Sequence, residues 1–144
     1  MTIEAKAKLL QLMYASLQAQ TAAHYTRYGI LDEIAETQKA SRQGAITCQR
    51  MGITDPRQVF TTLSGIFECA DWTVTDTPEG FSATCHSCML CGMAKKKGSQ
   101  SPCHLYCLDP MEDMIKALDP GLVFTVQETL FKGTRCQVAV AHHK

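Results

Sequence analysis

Apolar residues recur along the first part of the chain at alternating spacings of four and three: Ile3, Ala7, Leu10, Tyr14, Leu17, Thr21, His24 and Tyr28. That period places them on one stripe of a long helix, and Gly29 supplies the stop. A second, more polar helical stretch is expected from about Ile30 to Arg42, ending near Gly44. Asp55-Pro56 pairs a capping side chain with a proline suited to the first turn. Val59, Phe60, Leu63, Ile66 and Phe67 give the helix that follows its apolar face.

The period changes to two at Asp71. Trp72 and Val74 alternate with polar residues, Thr77-Pro78-Glu79-Gly80 makes a turn, and Phe81, Ala83 and Cys85 alternate again. This is a hairpin signature. From Cys85 to Cys107 no period survives. Asp109-Pro110-Met111-Glu112 then reads as a fresh helix start, with Met111, Met114, Ile115 and Leu118 on its apolar side and Asp119-Pro120-Gly121 at its end. Leu122, Phe124, Val126 and Leu130 share one strand parity. After a turn near Lys132-Gly133, Cys136, Val138 and Val140 share another.

This order predicts an α+β fold, in which N-terminal helices pack on an antiparallel sheet of about four strands built from two hairpins. A cysteine-rich loop and a helix lie between the hairpins. At 144 residues the expectation is one domain over 1–144, with a helical layer over 1–70 and the hairpin–loop–helix–hairpin unit over 71–142.

Composition narrows the function. Hydrophobic residues make up 45% and charged residues 19%, a globular balance. Lys+Arg 14 matches Asp+Glu 14, and either side of Trp72 each sign contributes seven, which argues against nucleic acid as a partner. The N-terminus MTIEAKAKLL carries charge where a signal peptide would be apolar, and no apolar run reaches the roughly 18 residues of a membrane span. A cytoplasmic, membrane-free protein is expected. Eight cysteines in 144 residues fall below the roughly 8–10% of a disulfide scaffold, and in a reducing compartment clustered thiols are more often ligands or catalytic groups.

Five of those cysteines fall in one segment: Cys85, Cys88, Cys91, Cys103 and Cys107, with His86 and His104 beside them. Cys88-x2-Cys91-x11-Cys103-x3-Cys107 is close to the spacing of a small structural Zn2+ site, since two short pairs can close a tetrahedron. The third cysteine at the same interval suits a 4Fe-4S iron–sulfur cluster better, because successive thiolates wrap its corners. Spacing leaves both open. The need to occupy Cys85, Cys88 and Cys91 together leans toward the cluster, and reduced thiols without metal are the plain alternative.

The remaining cysteines read differently. Cys69 and Cys136 follow apolar patterns and are expected as small core residues, while Cys48 sits in a polar stretch. His24 lies on the first stripe, either as a packing histidine or as a polar handle in a ligand pocket. The Lys95–Lys97 run is expected to be a solvated loop.

The closing segment Val126-Gln-Glu128-Thr-Leu130-Phe-Lys-Gly133-Thr-Arg-Cys136-Gln-Val-Ala-Val140 carries a further signal. With the order hairpin, cysteines, helix, hairpin, it resembles the superfamily joining the 4-vinyl-reductase-type small-molecule-binding domain and the aminothiazoline-carboxylate-hydrolase-like proteins. The resemblance covers roughly residues 60 to 141. It implies an α+β ligand-binding scaffold, sometimes with a cysteine-ligated metal, often dimeric, and in some members a hydrolase or a sensor. In the phenol-sensing relatives zinc is held by cysteines and a glutamate; Glu128 and Cys136 fall in the comparable hairpin, but Leu130 and Phe131 occupy the stretch where a second cysteine is expected.

Three functions follow as expectations. The main one is a cytosolic protein whose cysteine loop holds an iron–sulfur cluster or zinc beside a small-molecule pocket, for binding, redox or sensing. The alternative is a metal- or cysteine-dependent hydrolase of a small cyclic or amide substrate, with His86 and His104 as candidate bases. The third is a partner-binding module in which the N-terminal helices form a homodimer interface.

Overall fold

The computed structural model describes residues 1–67 and 70–143. The first helix, α1 (Ile3–Arg27), starts where the Thr2 hydroxyl accepts a hydrogen bond from the Ala5 N–H at 3.1 Å. It stops at Gly29, whose φ of +68° lies in the left-handed region that glycine adopts without penalty. Its buried face is Ala15, Ala19 and Ala22, and most of the predicted stripe faces outward instead. Ile3 is 86% exposed, Leu10 66% and Leu17 61%. Small side chains win the inside because they allow close approach: Ala19 packs against Leu90 and Ala94 of the helix at Met89–Lys96, and Ala22 against Leu31 and Leu105.

The second helix, α2 (Leu31–Ser41), matches the expected polar stretch. A helix not expected from the sequence, α3 (Gly44–Met51), follows at once and ends at left-handed Gly52. It packs on the helix at Asp109–Leu118 through Gly44, where a Cβ would stand 2.6 Å from the Asp113 carbonyl oxygen. Next, α4 (Pro56–Phe67) begins with the Asp55 carboxylate accepting from the Arg57 N–H at 2.8 Å. Phe60 is fully buried and meets the rings of Trp72, Phe81 and Phe124 at centroid distances of 5.2, 5.9 and 6.4 Å. Truncating a ring so placed costs about 3–5 kcal/mol.

The two predicted hairpins form as read: β1 (Thr73–Thr77) with β2 (Gly80–Cys85), and β3 (Leu122–Glu128) with β4 (Cys136–His142). They join through their second strands, giving the antiparallel order β1-β2-β4-β3. Phe81, Ala83, Cys85, Phe124, Cys136, Val138 and Val140 face the helices and are buried. The α+β architecture is therefore as expected, with α4 and the helix at Asp109–Leu118 packed on the sheet.

The segment between the hairpins is more helical than its sequence suggested. Met89–Lys96 is α5, with Cys88 just before its first turn. Residues His104–Leu108 form a π-helical turn that runs directly into α6 (Asp109–Leu118), so no fresh start occurs at Asp109. Pro110 explains the irregularity. In the π pattern the Asp109 N–H bonds to the His104 carbonyl, and Pro110 has no N–H for the next carbonyl, Leu105. The Arg42 guanidinium donates to that carbonyl instead, at 2.7 Å. No helix among the described residues is long and apolar enough to cross a membrane.

Candidate functional site

Local structure delivers six thiols to one place. Cys85 ends β2 and Cys136 begins β4, directly opposite each other in the strand register. Cys88 and Cys91 sit at the start of α5, and Cys103 and Cys107 flank and occupy the π-helical turn. All six line one small chamber with Trp72, Leu90 and Leu108. The five expected loop cysteines are thus brought together, and Cys136 joins them rather than serving only as core. Cys88, Cys91, Cys103, Cys107 and Cys136 are unbridged thiols.

The sulfurs interact. Cys91 Sγ lies 3.5 Å from Cys103 Sγ, and Cys91 also hydrogen-bonds with Cys88. Those hydrogen bonds hold the Cys91 proton in place and push its pKa far up, with burial adding to the effect. The same bonds stabilise the partners as thiolates. Cys88 falls to about 6, helped by the N–H groups of Cys91 and Leu90 at the head of α5, and Cys103 falls to about 7, helped by the Ser101 hydroxyl. Burial raises Cys107 well above an ordinary thiol and Cys136 to about 12. The Leu130 N–H donates to Cys136 Sγ at 3.2 Å. One chamber therefore holds both thiolates and thiols at neutral pH.

The metal expectation gains no ligand set from this arrangement. Among the described residues no three His, Cys, Asp or Glu side chains are disposed to hold one ion. The chamber measures about 20 Å3, close to the room of a single water and far short of a four-iron cube. The preference for an iron–sulfur cluster thus finds no support.

Next to the chamber lies a larger apolar pocket of about 350 Å3, at the small end of the roughly 300–1,000 Å3 typical of ligand sites. Trp72, Cys88, Leu90 and Cys107 belong to the walls of both cavities. Met51, Leu63, Met111 and Met114 line the body of the pocket. Its rim is tied by the Gln11 side chain donating to the Ile66 carbonyl at 2.7 Å and by Tyr14 stacked on Phe67 at 5.5 Å.

The histidines are elsewhere. His24 is exposed, meets Tyr28 edge-on at 4.9 Å and borders a shallow depression with Gln20, Arg27 and Lys97, away from the apolar pocket. His86 and His104 are exposed and line neither cavity; His104 Nδ1 pairs with Asp109 Oδ1 at 2.9 Å. Glu128 closes its own hairpin, accepting from the N–H groups of Thr134 and Arg135 at 2.8 and 3.2 Å, and takes no part in the chamber. Cys48 is buried and donates to the Met114 carbonyl at 3.6 Å, which makes it a core residue. Cys69 lies outside the described residues.

Sequence reasoning expected a pocket but not its lining, and took Cys136 for a core residue and Met111 and Met114 for helix packing. The parity shared by Cys85 and Cys136 at the ends of two hairpins was the available signal, and it acquires meaning only once β2 is known to pair with β4.

Neither a curated protein nor a solved structure gives a match to the chain. The family model described as L-2-amino-thiazoline-4-carboxylic acid hydrolase matches residues 3–139, which takes in the N-terminal helices as well as the cysteine segment and both hairpins. The chain belongs to the L-2-amino-thiazoline-4-carboxylic acid hydrolase family.

Proposed function

We propose that this protein hydrolyses a small cyclic or amide substrate bound in the apolar pocket, with Cys88 as the attacking group. The observation that carries this is the position of Cys88: it forms part of the walls of both cavities, at the head of α5. Family membership supports the reaction class. A thiol pair takes the place of His86 and His104, which line neither cavity, because Cys107 shares the same wall as Cys88.

In this reading the Cys88 sulfur adds to the carbonyl or amidine carbon and forms a C–S bond. The C–N bond then breaks, and the departing nitrogen takes the proton of the neutral Cys107 thiol. Water cleaves the resulting thioester, or the thioimidate formed from an amidine, its hydroxyl going to the carbon bonded to sulfur and a proton returning to Cys107. The sum is amide plus water to acid plus amine, or amidine plus water to amide plus amine. Mass spectrometry of protein quenched during turnover tests the step: an acyl adduct on the peptide carrying Cys88 is expected, and an adduct on another cysteine would overturn the assignment.

One observation favours a second reading, in which four of Cys85, Cys88, Cys91, Cys103, Cys107 and Cys136 hold a zinc ion. Four thiolates bonded at about 2.3 Å to a tetrahedral zinc lie roughly 3.8 Å apart. The Cys91–Cys103 pair, at 3.5 Å, is near that separation. Zinc would order the segment, since its binding energy becomes folding energy. A colourless protein with about one equivalent of zinc supports this reading. A brown protein points to the cluster, and a folded metal-free protein whose thiols all titrate removes both.

The exposed apolar side of α1 is the surface through which a homodimer of N-terminal helices would form.

A further inference from the structure

We propose that the pocket selects a neutral, ring-bearing substrate and rejects a carboxylate, unlike the carboxylic acid in the family's name. This rests on the hydrolase reading for its chemistry, while the selectivity itself has independent support. No lysine, arginine or histidine, and no acidic side chain, is present among the described residues lining the pocket. Its polar groups are the amides of Gln11 and Gln18, the hydroxyls of Tyr14, Thr47 and Tyr106, and the sulfurs of Cys88 and Cys107, none of which brings a positive charge to a carboxylate. The Gln11 amide N–H is already committed to the Ile66 carbonyl.

A carboxylate is ionised at neutral pH, and moving it from water into apolar surroundings without a partner is strongly unfavourable. A neutral amide or heterocycle loses far less and can be met by Gln18 or Thr47. The rest of the wall rewards a flat apolar body. Trp72 offers a ring at the inner end, and the flexible side chains of Met51, Met111 and Met114 adapt to its outline. The methionines also make favourable sulfur–ring contacts. No cation among the described lining residues meets a charged substrate, and recognition falls to shape and one or two hydrogen bonds.

Trp72 is the only tryptophan in the chain and lines the pocket, so its fluorescence reports binding without turnover. Phenylacetamide and phenylacetate are matched probes that differ in charge at one end. For the wild-type protein, phenylacetamide is expected to bind at least tenfold more tightly than phenylacetate. Thr47→Lys, which places a cation at the pocket wall, is expected to narrow or reverse that ratio. Equal or tighter binding of phenylacetate to the wild type overturns the proposal, as does failure of both probes to change the Trp72 signal. An amide preference in a protein that hydrolyses nothing upholds the selectivity and removes the hydrolase reading alone. Hydrolysis with no charge preference does the reverse.

Discussion

Cys85 stands directly opposite Cys136 across the β2–β4 pair, so the end of one hairpin and the start of the other meet at a single thiol chamber. The π-helical turn carries Cys103 and Cys107 to the same place from the helical layer. The cysteine segment is therefore held by secondary-structure elements on both sides. The chamber shares Trp72, Cys88, Leu90 and Cys107 as walls with the apolar pocket.

Reactivity of Cys88 gives the first prediction. Alkylation follows the thiolate fraction, and Cys88 is lowered to about 6 by its hydrogen bond with Cys91. In metal-free protein its rate of reaction with iodoacetamide should be near its plateau at pH 7 and half-maximal near pH 6. Peptide mapping after brief labelling checks this. A rate that still climbs through pH 9, as for an ordinary thiol, contradicts it.

Cys136 has a structural duty beyond lining the chamber, because its sulfur accepts the Leu130 N–H. Cys136→Val keeps the bulk and removes the acceptor. It should lower stability in urea by about 1–3 kcal/mol, the usual cost of a half-buried donor left without a partner. Cys136→Ser, which keeps an acceptor, should recover part of that loss.

Close packing of α3 on α6 depends on Gly44. A Cβ there would stand 2.6 Å from the Asp113 carbonyl oxygen, so Gly44→Ala must push the helices apart. Destabilisation of about 1–3 kcal/mol is expected from overpacking. Gly92→Ala on α5, where a Cβ meets nothing within 4 Å, is the matched control and should not destabilise.

The outward side of α1 should govern association. Leu10 and Leu17 are exposed on one stripe, and Leu10→Glu with Leu17→Glu should convert a dimer to a monomer in sedimentation at micromolar concentration. A wild-type protein that sediments as a monomer would remove the dimer proposal.

What the sequence disclosed follows the range of the forces involved. Both hairpins and α4 were legible because period-two alternation, the Thr77–Gly80 turn and the Asp55-Pro56 start act over a few residues. The existence of α1 was equally plain, but its inward face was not. A bulky stripe looks like a core, and only the neighbours show otherwise: Ala19 meets Leu90 and Ala94 of α5, and Ala22 meets Leu31 and Leu105. Helix α3 was missed because much of its support is tertiary, through Gly44 against Asp113. The π-helical turn was hidden for the same reason, since the Leu105 carbonyl is satisfied by distant Arg42. Within the site, the five clustered cysteines could be counted in the sequence. Cys136 and the apolar pocket depend on strand order and helix packing, which no local pattern records.

Steady-state turnover of small cyclic amidines and amides by wild-type protein and by Cys88→Ser, with folding of both verified by circular dichroism, tests the central claim most directly. Amine release by the wild type and a loss of at least about 100-fold in Cys88→Ser is the expected result, in keeping with removal of a covalent nucleophile. Equal turnover by the two proteins would contradict it.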